Sequence, residues 1–272
     1  MVHTAFDVMK EYMITGAELD GKYQFPVIPA AFYEPGDTID FADSFKRSIK
    51  NHRELNVNFY IHDNAFERVY ANPDRYLDHL RCFHSVCGLD YSIASGEQGM
   101  PFAMQIWNKY RNHALTYYLA LNGVKMIPNI SILSEDCWDW CFDGYTIGSN
   151  VACSTNGRMK SKASRIDFCN GFYEMCRRLQ PNKVIIVGRL PKELKSEVPI
   201  INLKSRNQLM EERLGRNNGN INTIHECQEE ERTQQTEAEK TAVEWTGSEQ
   251  KTKEGQKNKD DSLNVFVISK NS

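Results

Sequence analysis

The sequence predicts an α/β protein with an irregular or incomplete (β/α) barrel-like fold, mainly parallel strands and a disordered C-terminal tail. Three observations lead to this prediction: short β-prone runs alternate with helical patterns, the alternation recurs about six times, and the composition becomes strongly polar near residue 216. Strands that alternate with helices pair in parallel through right-handed crossovers. An open doubly wound sheet is the alternative arrangement of the same elements.

The chain divides by composition into an α/β domain, residues 1–215, and a tail, residues 216–272. Hydrophobic residues make up 40% of the 272 residues, which is enough to build a core in the first part. The tail is rich in Asn, Gln, Glu, Lys and Thr, so it buries too little apolar surface to offset its chain entropy. Its end, residues 263–269, is apolar again, which fits either a docking peptide or a chance apolar terminus.

Six runs are predicted as strands because they are apolar, rich in β-branched residues and bounded by turn formers. They span residues 57–61, 86–91, 125–132, 150–155, 183–187 and 200–203, and the segment 26–30 is a further candidate. Polar residues follow the first of these runs at once, and the pattern then becomes helical.

Three longer segments have the 3.6-residue periodicity of helices. They span residues 101–122, 135–144 and 165–179. Gly123 suits a left-handed residue at the end of the first helix. Ser164 is the predicted N-cap of the third helix, which must end before Pro181.

Cysteine usage and the N-terminus predict a reduced, cytoplasmic protein without a membrane segment. The eight cysteines form no CxxC pairs, so a zinc ribbon is not indicated. No basic start followed by an apolar stretch indicates a signal peptide, and no run reaches the roughly 18 apolar residues of a membrane span. The net charge of −3 does not by itself indicate a nucleic-acid partner.

Polar side chains recur where the predicted strands end. They are His62-Asp63-Asn64, Asp90-Tyr91-Ser92, Asn129 with Ser131, Ser154-Thr155-Asn156-Gly157 and Gly188-Arg189. Any one of them is explained by the polar turn that a strand end requires. As a set they predict a cleft at the C-terminal edge of the strands, where α/β proteins bind their ligands.

Asp63 and Asp90 are the predicted catalytic residues of this edge. They follow neighbouring strands, which lie about 4.8 Å apart, so the two carboxylates could act as acid and base or share a metal, with His62 as an optional ligand. The alternative for Asp63 is a cap on the helix that follows it. The pattern identifies neither a metal nor a cofactor.

The loop "STNGRMKSKASRID", residues 154–167, is the predicted anion-binding segment. Small residues let the backbone approach a ligand, and four cations precede a helix N-terminus, which also attracts anions. A solvated loop with charges for solubility is the alternative. The residues predicted to bind the ligand are Asn129, Ser154, Asn156, Arg158, Lys160, Arg165 and Arg189.

The segments "FYIHDNAFE", "GLDYS", "ACSTNG" and "FCNGFYEMCRRLQPNKVIIVG" resemble those of domain of unknown function family 4417, which occurs in bacteria and their phages. The resemblance covers roughly residues 26–191. It implies a prophage or mobile-element setting, and it implies no activity or catalytic residues.

These observations favour a cytoplasmic, phage- or mobile-element-type protein that binds a phosphate-bearing ligand, a nucleotide or a nucleic-acid end, in a cleft at the strand C-terminal edge. The alternative is a non-enzymatic interaction protein whose tail binds a protein partner. No motif identifies a reaction, so the sequence leaves open whether the protein is an enzyme.

Overall fold

The computed structural model describes residues 9–94 and 99–214. The chain divides into two units, Met1–Met210 and Glu211–Ser272, and the fold below is that of the first unit. The predicted tail and its apolar end, residues 263–269, lie outside the described residues. The predicted domain boundary at residue 215 therefore stays a prediction.

The strands form one antiparallel hairpin and two parallel sheets. The hairpin pairs β1 (Leu19–Asp20) with β2 (Phe25–Pro26). The first parallel sheet contains, in order, β3 (Asp37–Asp40), β4 (Leu55–Asn58), β5 (Ser85–Cys87) and β6 (Met126–Ile127). The second contains β7 (Val151–Ser154), β8 (Val184–Val187) and β9 (Ile200–Leu203). All neighbours within these two sheets are parallel, so the predicted α/β class with parallel strands is confirmed.

Five α-helices lie within the described ranges. They are α1 (Asp63–Ala71), α2 (Asp74–Arg81), α3 (Phe102–Leu121), α4 (Lys162–Leu179) and α5 (Arg206–Arg213). Gly123 has a φ of 79°, the left-handed conformation predicted after α3. The predicted N-cap Ser164 is wrong: helical residues begin at Lys162, and the Ser161 hydroxyl oxygen accepts from the Ser164 N–H at 3.1 Å. The predicted helix 135–144 is reduced to a 3-10 turn, Glu135–Cys137.

The two parallel sheets are joined by one isolated bridge and do not close. The bridge pairs Asn129 with Ala152, and the Ala152 N–H donates to the Pro128 carbonyl oxygen at 2.8 Å. Pro128 directly follows β6 and has no N–H to donate, so it interrupts the ladder there. No pairing joins β9 to β3 within the described residues. The predicted barrel is therefore not confirmed as a closed structure.

The hydrophobic core has three parts, because side chains alternate between the two faces of each strand. One part packs the first sheet against α1, α2 and α3, and a second packs the second sheet against α4. The third part lies between the facing sides of the two sheets and contains Cys87, Ile127, Ala152, Ile185, Val187 and Leu203. We call these facing sides the inner faces.

The inner face of β3, β4 and β5 is polar, although it is buried. The Thr38 hydroxyl oxygen accepts from the side-chain amides of Asn56 at 3.3 Å and Asn58 at 3.0 Å. The Ser85 hydroxyl donates to the Asn56 side-chain oxygen at 3.0 Å. Because these groups satisfy one another, their burial is tolerated, and the polar row leads toward the C-terminal ends of the strands.

Candidate functional site

A cavity of about 420 Å³ lies at the C-terminal edge of β3, β4 and β8. We call it the strand-end cleft. It is lined by Asp40, Ala42, Asn58, Tyr60, Ile61, His62, Asn64, Ala65, Ser92, Asn156, Val187, Ser205, Arg206 and Asn207. Its lining is mostly polar, and side-chain amides are its commonest polar group.

The first turns of α1 and α5 both border the cleft. His62 is the residue before α1, and Asn64 and Ala65 are in its first turn. Ser205 precedes α5 and exchanges hydrogen bonds with Gln208, a capping box in which the Ser205 N–H donates to the Gln208 side-chain oxygen at 2.9 Å. The first turn of a helix carries partial positive charge from N–H groups that lack intrahelical acceptors. The cleft therefore has two positive backbone ends on its wall.

Asp40 and Arg206 are the charged side chains of the lining. Asp40 ends β3 and is only 8% exposed. Burial raises the pKa of its carboxyl group above the usual 3.8, while a hydrogen bond with Asn58 and the charge of Arg206 lower it. The Arg206 guanidinium lies 3.2 Å from the carboxylate of Asp43. Arg206 is exposed, so a ligand in the cleft can reach it.

The two predicted catalytic carboxylates, Asp63 and Asp90, are not among the lining residues. Asp63 is the first residue of α1, but its carboxylate does not cap the helix; it accepts from the Ser92 N–H at 3.2 Å and the Ser92 hydroxyl at 2.9 Å. Asp90 accepts from the Asn129 amide at 2.9 Å and the Ser131 hydroxyl at 3.3 Å. Burial raises the pKa of Asp90 to about 6, and the charge of Asp63 also raises it.

Asn129 connects Asp90 to the wall of the cleft. Its side-chain amide donates to Asp90, and its side-chain oxygen accepts from the Tyr60 hydroxyl at 2.8 Å. Burial raises the pKa of Tyr60 well above 10, so this hydroxyl keeps its proton. Tyr60 in turn lines the cleft. No group of three or more His, Cys, Asp or Glu side chains in residues 9–94 and 99–214 is arranged to hold a metal ion.

The beginning of the loop 154–167 lies beside the cleft. The Ser154 hydroxyl donates to the Val187 carbonyl oxygen at 3.2 Å and accepts from the Asn156 N–H at 3.1 Å. The Asn156 side chain donates to the Tyr60 carbonyl oxygen at 3.4 Å and lines the cleft. Of the residues predicted to bind the ligand, Asn156 is therefore a lining residue and Ser154 supports its backbone.

The cations of this loop are directed elsewhere. Arg158 donates to the Ile132 carbonyl oxygen at 2.9 Å, and Arg165 makes a bidentate ion pair with Glu193 at 3.0 to 3.1 Å. Lys160 is exposed, and Arg189 has an interaction partner within the protein. Because both loop arginines are engaged by groups of the protein, the structure does not bring the predicted cations together into one anion site.

Six polar lining residues were missed from the sequence: Asp40, Asn58, Tyr60, Ser205, Arg206 and Asn207. Asp40 lies on a strand that was not predicted, and Arg206 begins a helix that was not predicted. The alternation of polar and apolar residues in "DTID" and "LNVN" is the signal that could have identified β3 and the polar inner face.

A second buried polar cluster surrounds Lys109 of α3. The Lys109 ammonium donates to the carbonyl oxygens of Cys141 at 3.0 Å and Asp143 at 2.9 Å. Its nitrogen lies 2.9 Å from His113 Nε2, and His113 Nδ1 faces the Pro26 carbonyl oxygen at 3.1 Å. Nδ1 therefore carries the proton and Nε2 accepts. Burial lowers the pKa of Lys109 to about 7 and that of His113 well below 6.5.

The chain matches a known protein family over most of its described residues. The family described as Domain of unknown function (DUF4417) matches residues 17–204. The chain belongs to this family. The matched residues of this DUF4417 protein include both parallel sheets and most of the cleft lining, while Ser205, Arg206 and Asn207 follow directly after them. The predicted resemblance is thus confirmed.

Two relatives are phage proteins. The chain is 33% identical to the Gene 1 protein of Mycobacterium phage L5 over 134 residues, which are 49% of this chain and 57% of the relative. It is 28% identical to the Gene 1 protein of Mycobacterium phage D29 over 174 residues, 62% of this chain and 61% of the relative. The chain thus spans less than two thirds of the length of these curated relatives. The chain is therefore similar to phage proteins, as the resemblance implied.

No solved structure matches the chain. In the part of the chain that the structure describes, no helix is both long and apolar enough to cross a membrane.

Proposed function

We propose that this DUF4417 protein binds a small phosphate-bearing ligand, such as a nucleotide, in the strand-end cleft. The observation that carries the proposal is the cavity of about 420 Å³ at which the first turns of α1 and α5 meet. Its volume is within the range of about 300–1,000 Å³ typical of small-molecule sites. A cleft at the C-terminal edge of parallel strands is also where such ligands bind in other α/β folds.

The phosphate group would lie against the helix ends and not in the loop 154–167. Backbone N–H groups of a helix N-terminus and the helix dipole favour an anion, and His62 and Arg206 add positive or donating groups on the same wall. Arg206 is exposed and its ion pair with Asp43 is partly accessible to solvent, so it can turn toward a phosphate at little cost. The loop arginines, by contrast, would have to leave buried or bidentate partners.

In this proposal Asp63 and Asp90 keep the catalytic role predicted from the sequence. A carboxyl group whose pKa is about 6 is suited to donate or accept a proton near neutral pH. The hydrogen bonds from Asp90 through Asn129 to Tyr60 connect it to the lining of the cleft. Proton transfer during hydrolysis or transfer of the phosphoryl group is the reaction class that this arrangement supports.

We further propose that the two parallel sheets form one incomplete barrel around the inner faces. The shared cluster between the sheets and the bridge between Asn129 and Ala152 support it. In such a barrel the ends of β3, β4 and β8 surround one cleft, as the lining of the cavity requires. The prophage setting and the cytoplasmic location stay predictions.

The test is a thermal-shift screen of the full chain against nucleotides and sugar phosphates. A ligand present at about 100 times its Kd stabilises the folded state by about 2.7 kcal/mol, which raises the melting temperature by roughly 5 °C or more. The Arg206→Gln variant is expected to lose most of this shift. The Lys160→Gln/Lys162→Gln variant, which alters the loop predicted from the sequence, is the matched control and is expected to keep it.

A shift lost in the loop variant and kept in Arg206→Gln would place the anion at residues 154–167 and contradict the proposal. The alternative function, partner binding through the tail, lies outside the described residues. Deleting the residues after Arg216 separates the two functions, because a ligand site in the cleft survives the deletion and a partner site in the tail does not.

A further inference from the structure

Asp40 is a buried acidic residue in the lining of the strand-end cleft. A carboxylate accepts about four hydrogen bonds. Within the described residues, the groups that favour its charged form are the Asn58 amide and the positive charge of Arg206. Asp40 is 8% exposed, and it lines the cleft. Its carboxylate therefore borders the space that a ligand would occupy and can accept more hydrogen bonds than the one from Asn58.

The surroundings of Asp40 define which donors it would accept. Two helix N-termini and Arg206 lie near Asp40 in the lining, and their positive charge disfavours an ammonium group as the donor. Neutral hydroxyl groups donate to a carboxylate without that repulsion. Three other asparagine side chains of the lining, Asn64, Asn156 and Asn207, each carry a donor and an acceptor group, which suits neighbouring hydroxyl groups.

We propose that the ligand of the strand-end cleft is a sugar phosphate or a nucleotide, and that Asp40 selects it by accepting hydrogen bonds from its sugar hydroxyl groups. The inference rests on the proposed function, since it concerns the non-phosphate part of the same ligand. Hydroxyl-poor phosphates would fill the same cavity but add no donor to the buried carboxylate beyond the Asn58 amide. A site that hydrogen-bonds a hydroxyl group discriminates strongly against analogues that lack it.

The test uses two matched pairs of probes and isothermal titration calorimetry of the full chain. Ribose 5-phosphate is compared with n-pentyl phosphate, and adenosine 5′-monophosphate with its 2′,3′-dideoxy form. For the wild type we expect the hydroxylated member of at least one pair to bind about 10- to 100-fold more tightly, as expected for hydrogen bonds to a charged group.

The variant that tests the role of the carboxylate is Asp40→Asn, and its matched control is Asp37→Asn. Asp37 lies on the same strand at the opposite end, is exposed, and accepts from the neighbouring Thr38 N–H at 2.7 Å. Asp40→Asn is expected to reduce the preference to about threefold or less, with the affinity for the hydroxyl-poor probe unchanged. Asp37→Asn is expected to keep the wild-type preference. Melting temperatures of both variants check that they are folded.

Three other outcomes are informative, and each contradicts a different claim. If none of the four probes binds the wild type, the proposed function fails, and the inference fails with it. If the wild type binds both members of each pair equally, the proposed function stands and the hydroxyl preference is wrong. If Asp40→Asn keeps the full preference while folded, another residue selects the sugar and the role assigned to Asp40 is wrong.

Discussion

Lys109 and Asp40 are both buried charged residues, but they use their hydrogen-bonding capacity in opposite ways. The three ammonium protons of Lys109 meet two carbonyl oxygens and one imidazole nitrogen, and its nitrogen lies 4.7 Å and 4.5 Å from the ring centroids of Phe25 and Tyr145. The space beside it measures only about 10 Å³. Asp40 instead borders a cavity of about 420 Å³, and the hydrogen bond with Asn58 uses only part of its capacity to accept.

The comparison separates two reasons for placing a charge inside a protein. A charge whose partners are all groups of the chain holds segments together, here α3 with the segment 141–145 and the hairpin. A charge that faces a cavity with unused acceptors costs stability and gains nothing until a ligand arrives. A buried charge alone therefore does not indicate function. A buried charge that borders a cavity does, because a ligand there can supply further hydrogen bonds.

The largest expected effect is the loss of the Lys109 cluster. Lys109→Met leaves two carbonyl oxygens and His113 Nε2 buried without a donor, so we expect the free energy of unfolding to fall by about 3–5 kcal/mol. Urea denaturation measures this loss. Lys125→Met, at an exposed position, is the control and should change stability by less than about 0.5 kcal/mol. Equal effects of the two variants would show that the cluster around Lys109 does not hold the fold together.

An intermediate effect is expected at Asp90, whose carboxyl group has protein partners but also a raised pKa. Because the unfolded pKa is 3.8 and the folded pKa is about 6, the folded state binds more protons in between, and wild-type stability falls as the pH rises through this window. Asp90→Asn keeps the acceptor oxygen and removes the charge. It should therefore be more stable than the wild type at pH 7 by about 1–2 kcal/mol, and about equal to it near pH 4.

Urea denaturation at pH 4 and pH 7 measures the effect of Asp90→Asn, with Asp78→Asn as control. The Asp78 side chain is 97% exposed, so its replacement should not produce this pH dependence. An Asp90→Asn gain that is the same at both pH values would mean that the charge is not the cause. A gain in stability combined with a loss of ligand turnover would support the proposed role of Asp90, since functional residues are often kept at the expense of stability.

The smallest effect on stability is expected for Asp40→Asn. Burial already disfavours the carboxylate, and Asn keeps one acceptor, so we expect the unfolding free energy to change by less than about 1 kcal/mol, toward greater stability. Chemical denaturation without ligand measures it. A loss of several kcal/mol would show that Asp40 is a structural charge like Lys109 and would remove the contrast between the two.

The parts of the fold that were predicted correctly have strong local signals. β8 is the apolar run "VIIV" between Pro181 and Gly188, and α4 has a buried face that repeats with helical periodicity. β3 was missed because its buried inner side chains, Thr38 and Asp40, are polar. Hydrogen bonds with β4 compensate for the burial of these polar side chains, and the sequence of β3 by itself does not show those partners.

The candidate site was predicted only where its residues lie next to a predicted strand in the sequence. His62, Asn64 and Asn156 were found because they directly follow predicted strands, and the parallel arrangement brings those ends to one edge. Arg165 was predicted to bind an anion because the sequence places it before a helix, but its partner Glu193 comes from a distant loop. Arg206 was missed because it reaches the cleft from a separate helix near the end of the described chain.

The lining of the cleft is contributed by segments from both ends of the described chain, from Asp40 to Asn207. Contacts between residues so far apart in sequence form late in folding, after the local helices and neighbouring strand pairs. A product truncated before residue 205 retains most of the core but lacks one wall of the cleft. We therefore expect the proposed ligand binding to require a folded chain that is complete through residue 207, and a product truncated before residue 205 to bind no ligand even where its sheets are intact.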